Sequence, residues 1–233
     1  MRFRRRALAA AAVVAILCVP AVPAPAAPSP VHVSFRSSDG ITLRGHLWPG
    51  GSTAVVFSHM YGTTQSIWYD LAGQLAAQGY TVLTFDFRGV GTSSGRLVIA
   101  NVYRDTLAAV TFIRTRNPKA IVLMGASMGG TSSIIAAGQT KVDGLVVIAS
   151  GMMFQGLNVQ PHLPNLRMRK LFIVGSRDAP FNSSVKTMYA RTPQPKQLIV
   201  IPTGLHGTYM FRNAQHRSAI HQAIFTFLRT GAR

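Results

Sequence analysis

The sequence contains no glutamate, and its one cysteine, Cys18, lies near the start of the chain. Only Asp39, Asp70, Asp86, Asp105, Asp143 and Asp178 carry acidic side chains, against 24 lysines and arginines, for a formal charge of +18. The position of Cys18 excludes a disulfide, a thiolate metal site and a cysteine nucleophile from everything that follows it. Charged residues make up 13% of the chain and hydrophobic ones 48%, the reverse of a disordered composition. There is no internal repeat, no glycine-rich phosphate loop and no dinucleotide fingerprint between a strand and a helix. The histidines and carboxylates show no metal-ligand spacing; His216 and His221 stand five positions apart on one helical segment and do not share a face. Neither a cofactor nor a metal is expected.

The first thirty residues have a separate character. Arg2, Arg4, Arg5 and Arg6 form a basic start, Ala7 to Val19 is an apolar run, and Ala21 to Pro30 supplies small residues and prolines. That is the layout of a secretory signal over residues 1–26, with Ala24-Pro25-Ala26 as the cleavage region. The apolar run falls short of the roughly 20 residues of a spanning helix. Removal of the leader and a secreted or periplasmic location are therefore expected, with an uncleaved membrane anchor as the alternative. Setting the four leader arginines aside lowers the formal charge from +18 to +14. Such a field should draw the protein to anionic surfaces. The cations form only short groups, at Arg114, Arg116, Lys119 and at Arg167, Arg169, Lys170, without the interleaved aromatics of a nucleic-acid motif. The expectation is a solvated basic surface and no specific nucleic-acid partner.

Past the leader, residues 31–233 read as one domain. Val31 to Arg36 and Ile41 to Trp48 predict a hairpin around Ser38-Asp39-Gly40. Thr53 to Ser58, Tyr80 to Phe87, Ala120 to Met124, Leu145 to Ala149, Leu171 to Val174 and Gln197 to Ile201 predict six more strands, several apolar throughout, as strands buried on both faces are. Helical spacing covers Ile67 to Gln78, ending at Gly79, then Ala100 to Thr115, Met128 to Ala137 and Ala214 to Leu228. This order predicts an α/β fold: a doubly wound, mostly parallel eight-stranded sheet with helices on both faces.

The strongest chemical signal is Gly125-Ala126-Ser127-Met128-Gly129-Gly130, between the strand ending at Met124 and the helix opening at Met128. A sharp strand-to-helix turn forces its central residue into strained backbone geometry and leaves no room for neighbouring side chains, so it needs the glycines. It also sets the Met128 N–H at a helix N-terminus, where an oxyanion is stabilised. Serine is a weak nucleophile until a base, held in one tautomer by a third group, takes its proton. His206 follows the last strand in Thr203-Gly204-Leu205-His206-Gly207, and Asp178 follows the strand Leu171 to Val174. Both fall at carboxyl ends of strands, the edge at which open α/β sheets bind ligands.

These features resemble the α/β-hydrolase superfamily over the whole mature chain, and the order Ser127, Asp178, His206 is the order of its catalytic triad. Phe57-Ser58-His59-Met60-Tyr61-Gly62 is similar to the family's oxyanion loop, with His59-Met60 where a His-Gly pair is usual. That implies the Tyr61 N–H as second oxyanion donor beside Met128, and His59 as a loop-ordering residue. Asp86-Phe87-Arg88-Gly89-Val90-Gly91-Thr92-Ser93-Ser94-Gly95 resembles the family's structural segment after the fourth strand, so Asp86 and Ser93 are not assigned to catalysis.

Many relatives carry a cap after the sixth strand. Here only Gly151 to Met168 is available, with Pro161 and Pro164, which leaves a short loop and a minimal lid over an open site. Met152, Met153 and Phe154 follow that strand and are candidates for an apolar acyl pocket, or for core beneath the loop. The resemblance implies an exported serine hydrolase acting on carboxylic or thio esters, its substrate a small or lipid-like ester. A serine peptidase, amidase or acyltransferase is the alternative, and a non-catalytic binding protein the third.

Overall fold

A computed structural model describes residues 28–231; the expected leader lies outside the described residues. Strands β1 (Val31–Arg36) and β2 (Thr42–Trp48) pair antiparallel, and Gly40 takes φ 86° in the turn between them. β3 (Thr53–Ser58), β4 (Thr81–Phe85), β5 (Ala120–Ala126) and β6 (Gly144–Ile148) follow, with β9 (Arg169–Gly175) and β10 (Lys196–Ile201) completing the sheet. The eight strands run in the order β1-β2-β4-β3-β5-β6-β9-β10, parallel from β4 to β10. Every residue of β4 and β6 is buried; β6 is apolar throughout, and in β4 the buried Thr81 and Thr84 hydroxyls donate to the Gly51 carbonyl and to Gln65 Oε1.

Helices α1 (Tyr69–Ala77), α2 (Val102–Arg114), α3 (Met128–Ala137), α4 (Phe181–Arg191) and α5 (Ala214–Thr230) cover the sheet. α2 and α3 meet through the buried Thr106 and Ser132 hydroxyls, 2.6 Å apart, and α1 meets α5 through Gln74 and His221. α1 ends as its glycine predicts: Gly79 sits at φ 85°, its N–H donates to the Ala76 carbonyl, and the Tyr80 N–H donates to Leu75.

The winding direction reverses at β3, which lies between β4 and β5. Chains leaving the carboxyl ends of β3 and β5 therefore part to opposite faces and open a crevice there. Ser58 pairs with Gly125 across that boundary, so the loop after β3 and the turn after β5 are neighbours.

Two elements depart from expectation. Helix α4 is absent from the sequence reading because Phe181–Arg191 buries only Val185 and Met188 and has no side-chain cap. The segment after β6 is more ordered than a plain loop. It holds a hairpin of β7 (Met153–Phe154) and β8 (Leu157–Asn158), then a single 3₁₀ turn at Leu163–Asn165. Its turn residues Gln155 and Gly156 both take positive φ, 41° and 92°. That is the two-residue hairpin geometry usually signalled by asparagine or aspartate before glycine, and glutamine hides it.

Candidate active site

Ser127 stands at the tip of the β5–α3 turn with φ 51° and ψ −121°, a conformation that costs a non-glycine residue of order 1–3 kcal/mol. The turn is held by a hydrogen bond from the Ser127 N–H to the Ile148 carbonyl at 2.9 Å. Its tightness explains two glycines. A side chain at Gly125 would run into the Gly129 backbone, and one at Gly129 would run into the Ser58 carbonyl.

The two loops after β9 and β10 are tied together. The Ser176 N–H donates to the Ile201 carbonyl at 2.7 Å and the Arg177 N–H to Thr203 at 2.9 Å. This brings Asp178 against His206: the carboxylate oxygens lie 2.9 and 3.2 Å from Nδ1. His206 Nε2 lies 2.8 Å from Ser127 Oγ. A carboxylate only accepts, so the imidazole proton belongs on Nδ1 and the Nε2 lone pair faces the serine hydroxyl. The structure thus brings together all three residues singled out in the sequence. Burial pushes the Asp178 carboxyl above the ordinary aspartate range, opposed by its hydrogen bond to His206.

Met128 is the first residue of α3, and its N–H has no intrahelical acceptor. Among the described residues neither the Met128 nor the Tyr61 N–H donates to another protein group. His59 is fully buried beneath the loop that carries Tyr61. Its Nδ1 donates to the Met60 carbonyl at 2.8 Å and its Nε2 accepts the Phe87 N–H at 3.1 Å. Burial pushes its pKa below the usual histidine value, which keeps it neutral in that double role.

Three contacts were not visible in the sequence. Met60 is buried, and its sulfur accepts from the Thr208 N–H and hydroxyl at 3.4 and 3.5 Å while abutting Gly207, the residue after His206. The Phe181 ring lies against the His206 imidazole, centroids 4.0 Å apart. Arg88 is buried and bridges Asp105 and Asp39, each at 2.6 Å, which fixes the segment after β4 and gives two aspartates a structural role. Asp86 accepts from the Gln65 N–H and side-chain amide, and the Ser93 hydroxyl donates to the Asp86 carbonyl; neither side chain bonds Ser127, Asp178 or His206.

Of the acyl-pocket candidates, Met152 packs against the core and Met153 is 63% exposed. Phe154 meets the exposed ring of Tyr61 edge-on at 5.9 Å, so the hairpin and the β3 loop form one apolar rim. A separate cavity of about 850 Å³ lies against β1 and β2 and includes none of Ser127, Asp178 or His206. No helix of the described residues is long and apolar enough to cross a membrane.

Comparison with known proteins places this geometry. A family model described as serine aminopeptidase, S33, matches residues 52–158, a little under half the chain. The match takes in Tyr61 and Ser127 and stops before Asp178. The chain is 27% identical over 208 residues to the uncharacterized protein YfhR of Escherichia coli strain K12, covering 75% of this chain and 72% of that one. It is 34% identical over 117 residues to the polyketide transferase af380 of Aspergillus fumigatus, covering 46% and 40%. The solved structure of an esterase from Pyrococcus furiosus superposes with a TM-score of 0.75 at 19% identity, over 88% of this chain and 92% of that one. By its sheet order, its strained serine turn and these matches, the chain has the α/β-hydrolase fold, and over residues 52–158 its sequence is similar to the serine aminopeptidase S33 family.

Proposed function

We propose that the protein is a serine hydrolase that cleaves carboxylic or thio esters through an acyl-enzyme on Ser127. The observation that carries this reading is the unbroken chain from Ser127 Oγ to His206 Nε2 and from His206 Nδ1 to Asp178. As Ser127 Oγ bonds to the substrate carbonyl carbon, its proton passes to His206 Nε2 and Asp178 stabilises the imidazolium. The carbonyl oxygen becomes an oxyanion, received by the Met128 and Tyr61 N–H groups. Collapse breaks the ester bond, and the departing alcohol or thiol takes the proton from His206. Water then repeats the sequence on the acyl-enzyme and frees the acid and Ser127.

The apolar rim of Tyr61 and Phe154 suits an acyl chain, and among the described residues the segment after β6 forms a two-stranded hairpin and a 3₁₀ turn in place of a helical cap. Action outside the cytoplasm, directed by residues 1–26, is part of the proposal. A second reading, acyl transfer to an acceptor other than water, is favoured by the similarity to a polyketide transferase. A panel of p-nitrophenyl esters of increasing chain length, run on wild type and Ser127→Ala, tests the proposal. Turnover that disappears in the variant supports it; turnover that survives Ser127→Ala refutes it. Alcohol acceptors added to the assay expose the transferase reading as new esters formed in place of free acid.

A further inference from the structure

The cavity of about 850 Å³ against β1 and β2 is lined by two histidines that the proposed ester chemistry does not use. His32 and His46 are direct partners in the antiparallel pairing of β1 with β2, so both side chains leave the same face of the sheet. Their ring centres lie 4.3 Å apart, with the planes tilted by 54°. Hairpin register makes this pair, which is why the spacing of histidines along the sequence does not reveal it.

His46 is held in one tautomer. Its Nδ1 lies 3.1 Å from Gln65 Oε1 and 2.9 Å from the Tyr69 hydroxyl. The buried Asp86 sets the orientation of the Gln65 amide, because a carboxylate only accepts and takes the Gln65 Nε2–H at 2.9 Å. Gln65 Oε1 therefore faces His46, and it also accepts the Thr84 hydroxyl at 2.9 Å. A carbonyl oxygen cannot donate, so the imidazole proton belongs on Nδ1 and the lone pair on Nε2. Among the described residues nothing bonds the His46 Nε2, and the exposed His32 makes no side-chain hydrogen bond. Carboxylate, amide and imidazole in series, with the far nitrogen left open, is the kind of support that outer groups give a metal-bound histidine.

The surroundings decide which ligand fits. Ligating imidazole nitrogens stand about 2.1 Å from a metal ion, which puts the ring centres of two ligands at right angles about 4.5 Å apart. The observed separation of 4.3 Å is close to that value. Asp86 is the one acid lining the cavity, and both its oxygens already accept from Gln65, which leaves no oxygen cage for calcium or magnesium. Among the described residues no group of three or more histidine, cysteine, aspartate or glutamate side chains converges, so the protein supplies two ligands and water the rest. Imidazole suits copper, nickel and zinc, and Cu²⁺ is held most tightly of the three. Arg44 also lines the cavity but is exposed, so its guanidinium reaches water and need not oppose a bound cation. We infer that His32 and His46 bind a divalent transition-metal ion, Cu²⁺ ahead of Ni²⁺ or Zn²⁺, which clasps the edge strand β1 to β2. This site does not depend on the esterase reading.

The test is titration of the full chain with Cu²⁺, followed by calorimetry and by electron paramagnetic resonance. Wild type is compared with His32→Gln, His46→Gln and a control that removes two other histidines, His162→Gln/His216→Gln. His32 is exposed and unbonded among the described residues, so its replacement leaves the fold intact and reads the site alone. The wild-type spectrum should carry two imidazole nitrogens. Each site variant should weaken binding by at least about tenfold, since even the outer partners of a ligand are worth that much, and the control should not. Cu²⁺ should also raise the melting temperature of wild type more than that of His32→Gln, because a ligand stabilises the state that holds its site. Arg44→Gln should bind Cu²⁺ at least as tightly as wild type, since a like charge has been removed. Unchanged affinity in His32→Gln, or a wild-type spectrum with a single imidazole, overturns the inference. Weaker Cu²⁺ binding in Arg44→Gln, with inorganic phosphate raising the melting temperature in place of the metal, makes the cavity an anion site and overturns the metal assignment.

Discussion

The Met60 sulfur accepts a hydrogen bond from the Thr208 N–H at 3.4 Å, joining the loop that carries Tyr61 to the loop that carries His206. Across the 148 positions between Met60 and Thr208, this contact couples the proposed second oxyanion donor, Tyr61, to the proposed base, His206. Met60→Leu keeps the volume and removes the acceptor, so stability should fall by less than about 1.5 kcal/mol. Ester turnover should fall by about tenfold to a hundredfold, mainly in kcat, because small displacements of reacting groups are costly. Denaturant unfolding beside steady-state kinetics checks both. An unchanged kcat contradicts the coupling.

Asp178 orients His206, and its burial is costly to the fold. Asp178→Asn should lower kcat by about ten-thousandfold, as loss of the tautomer-setting group does in triads of this kind. Because burial raises the carboxyl's folded pKa above 3.8, the folded state binds the proton more tightly, and ionisation at neutral pH subtracts stability. The variant should therefore melt no lower than wild type at pH 7. Differential scanning calorimetry with the ester assay separates the two effects.

His221 is buried between α5 and α1, with Nδ1 near the Gln74 side chain and Nε2 without a partner among the described residues. Burial pushes its folded pKa below 6.5, so the unfolded chain binds more protons once the pH drops past that value. Stability should be complete above pH 6.5 and decline below it. His221→Gln should flatten that decline, measured as the midpoint of urea unfolding from pH 7.5 to 5. An identical slope in the variant removes His221 from the account.

Lys170 is almost wholly buried with no carboxylate partner among the described residues, donating to the Leu166 and Met168 carbonyls at 2.8 and 2.6 Å. Burial, aided by the cations Lys196 and Arg167, pushes its pKa down to about 8 from 10.5. Between those values the unfolded chain binds the extra proton, so stability contributed at this site rises with pH by on the order of 3 kcal/mol. Lys170→Met should remove that rise. Chemical denaturation of the two proteins at pH 8 and pH 10 makes the comparison.

The fold was legible because its signals are local. The apolar runs of β3, β4, β5 and β6, the glycine at 79 and the crowded glycines around Ser127 each state a conformation within a few residues. The order of Ser127, Asp178 and His206 added the partners, since each follows a strand of one sheet. What stayed hidden is long-range or weakly marked. α4 buries two side chains, the β7–β8 hairpin has two residues in each strand, and the Met60–Thr208 contact has no sequence signature at all. Phe181, which packs on His206, was missed because its helix was missed.

The central claim is an acyl group carried on Ser127. Rapid acid quenching during turnover of a p-nitrophenyl ester, followed by mass mapping of the peptide that contains Ser127, measures it directly. The account predicts a peptide heavier by the acyl group at Ser127, formed with a burst of p-nitrophenol and absent in Ser127→Ala. Turnover with no acyl group on Ser127, or with the acyl group on another residue, would contradict it.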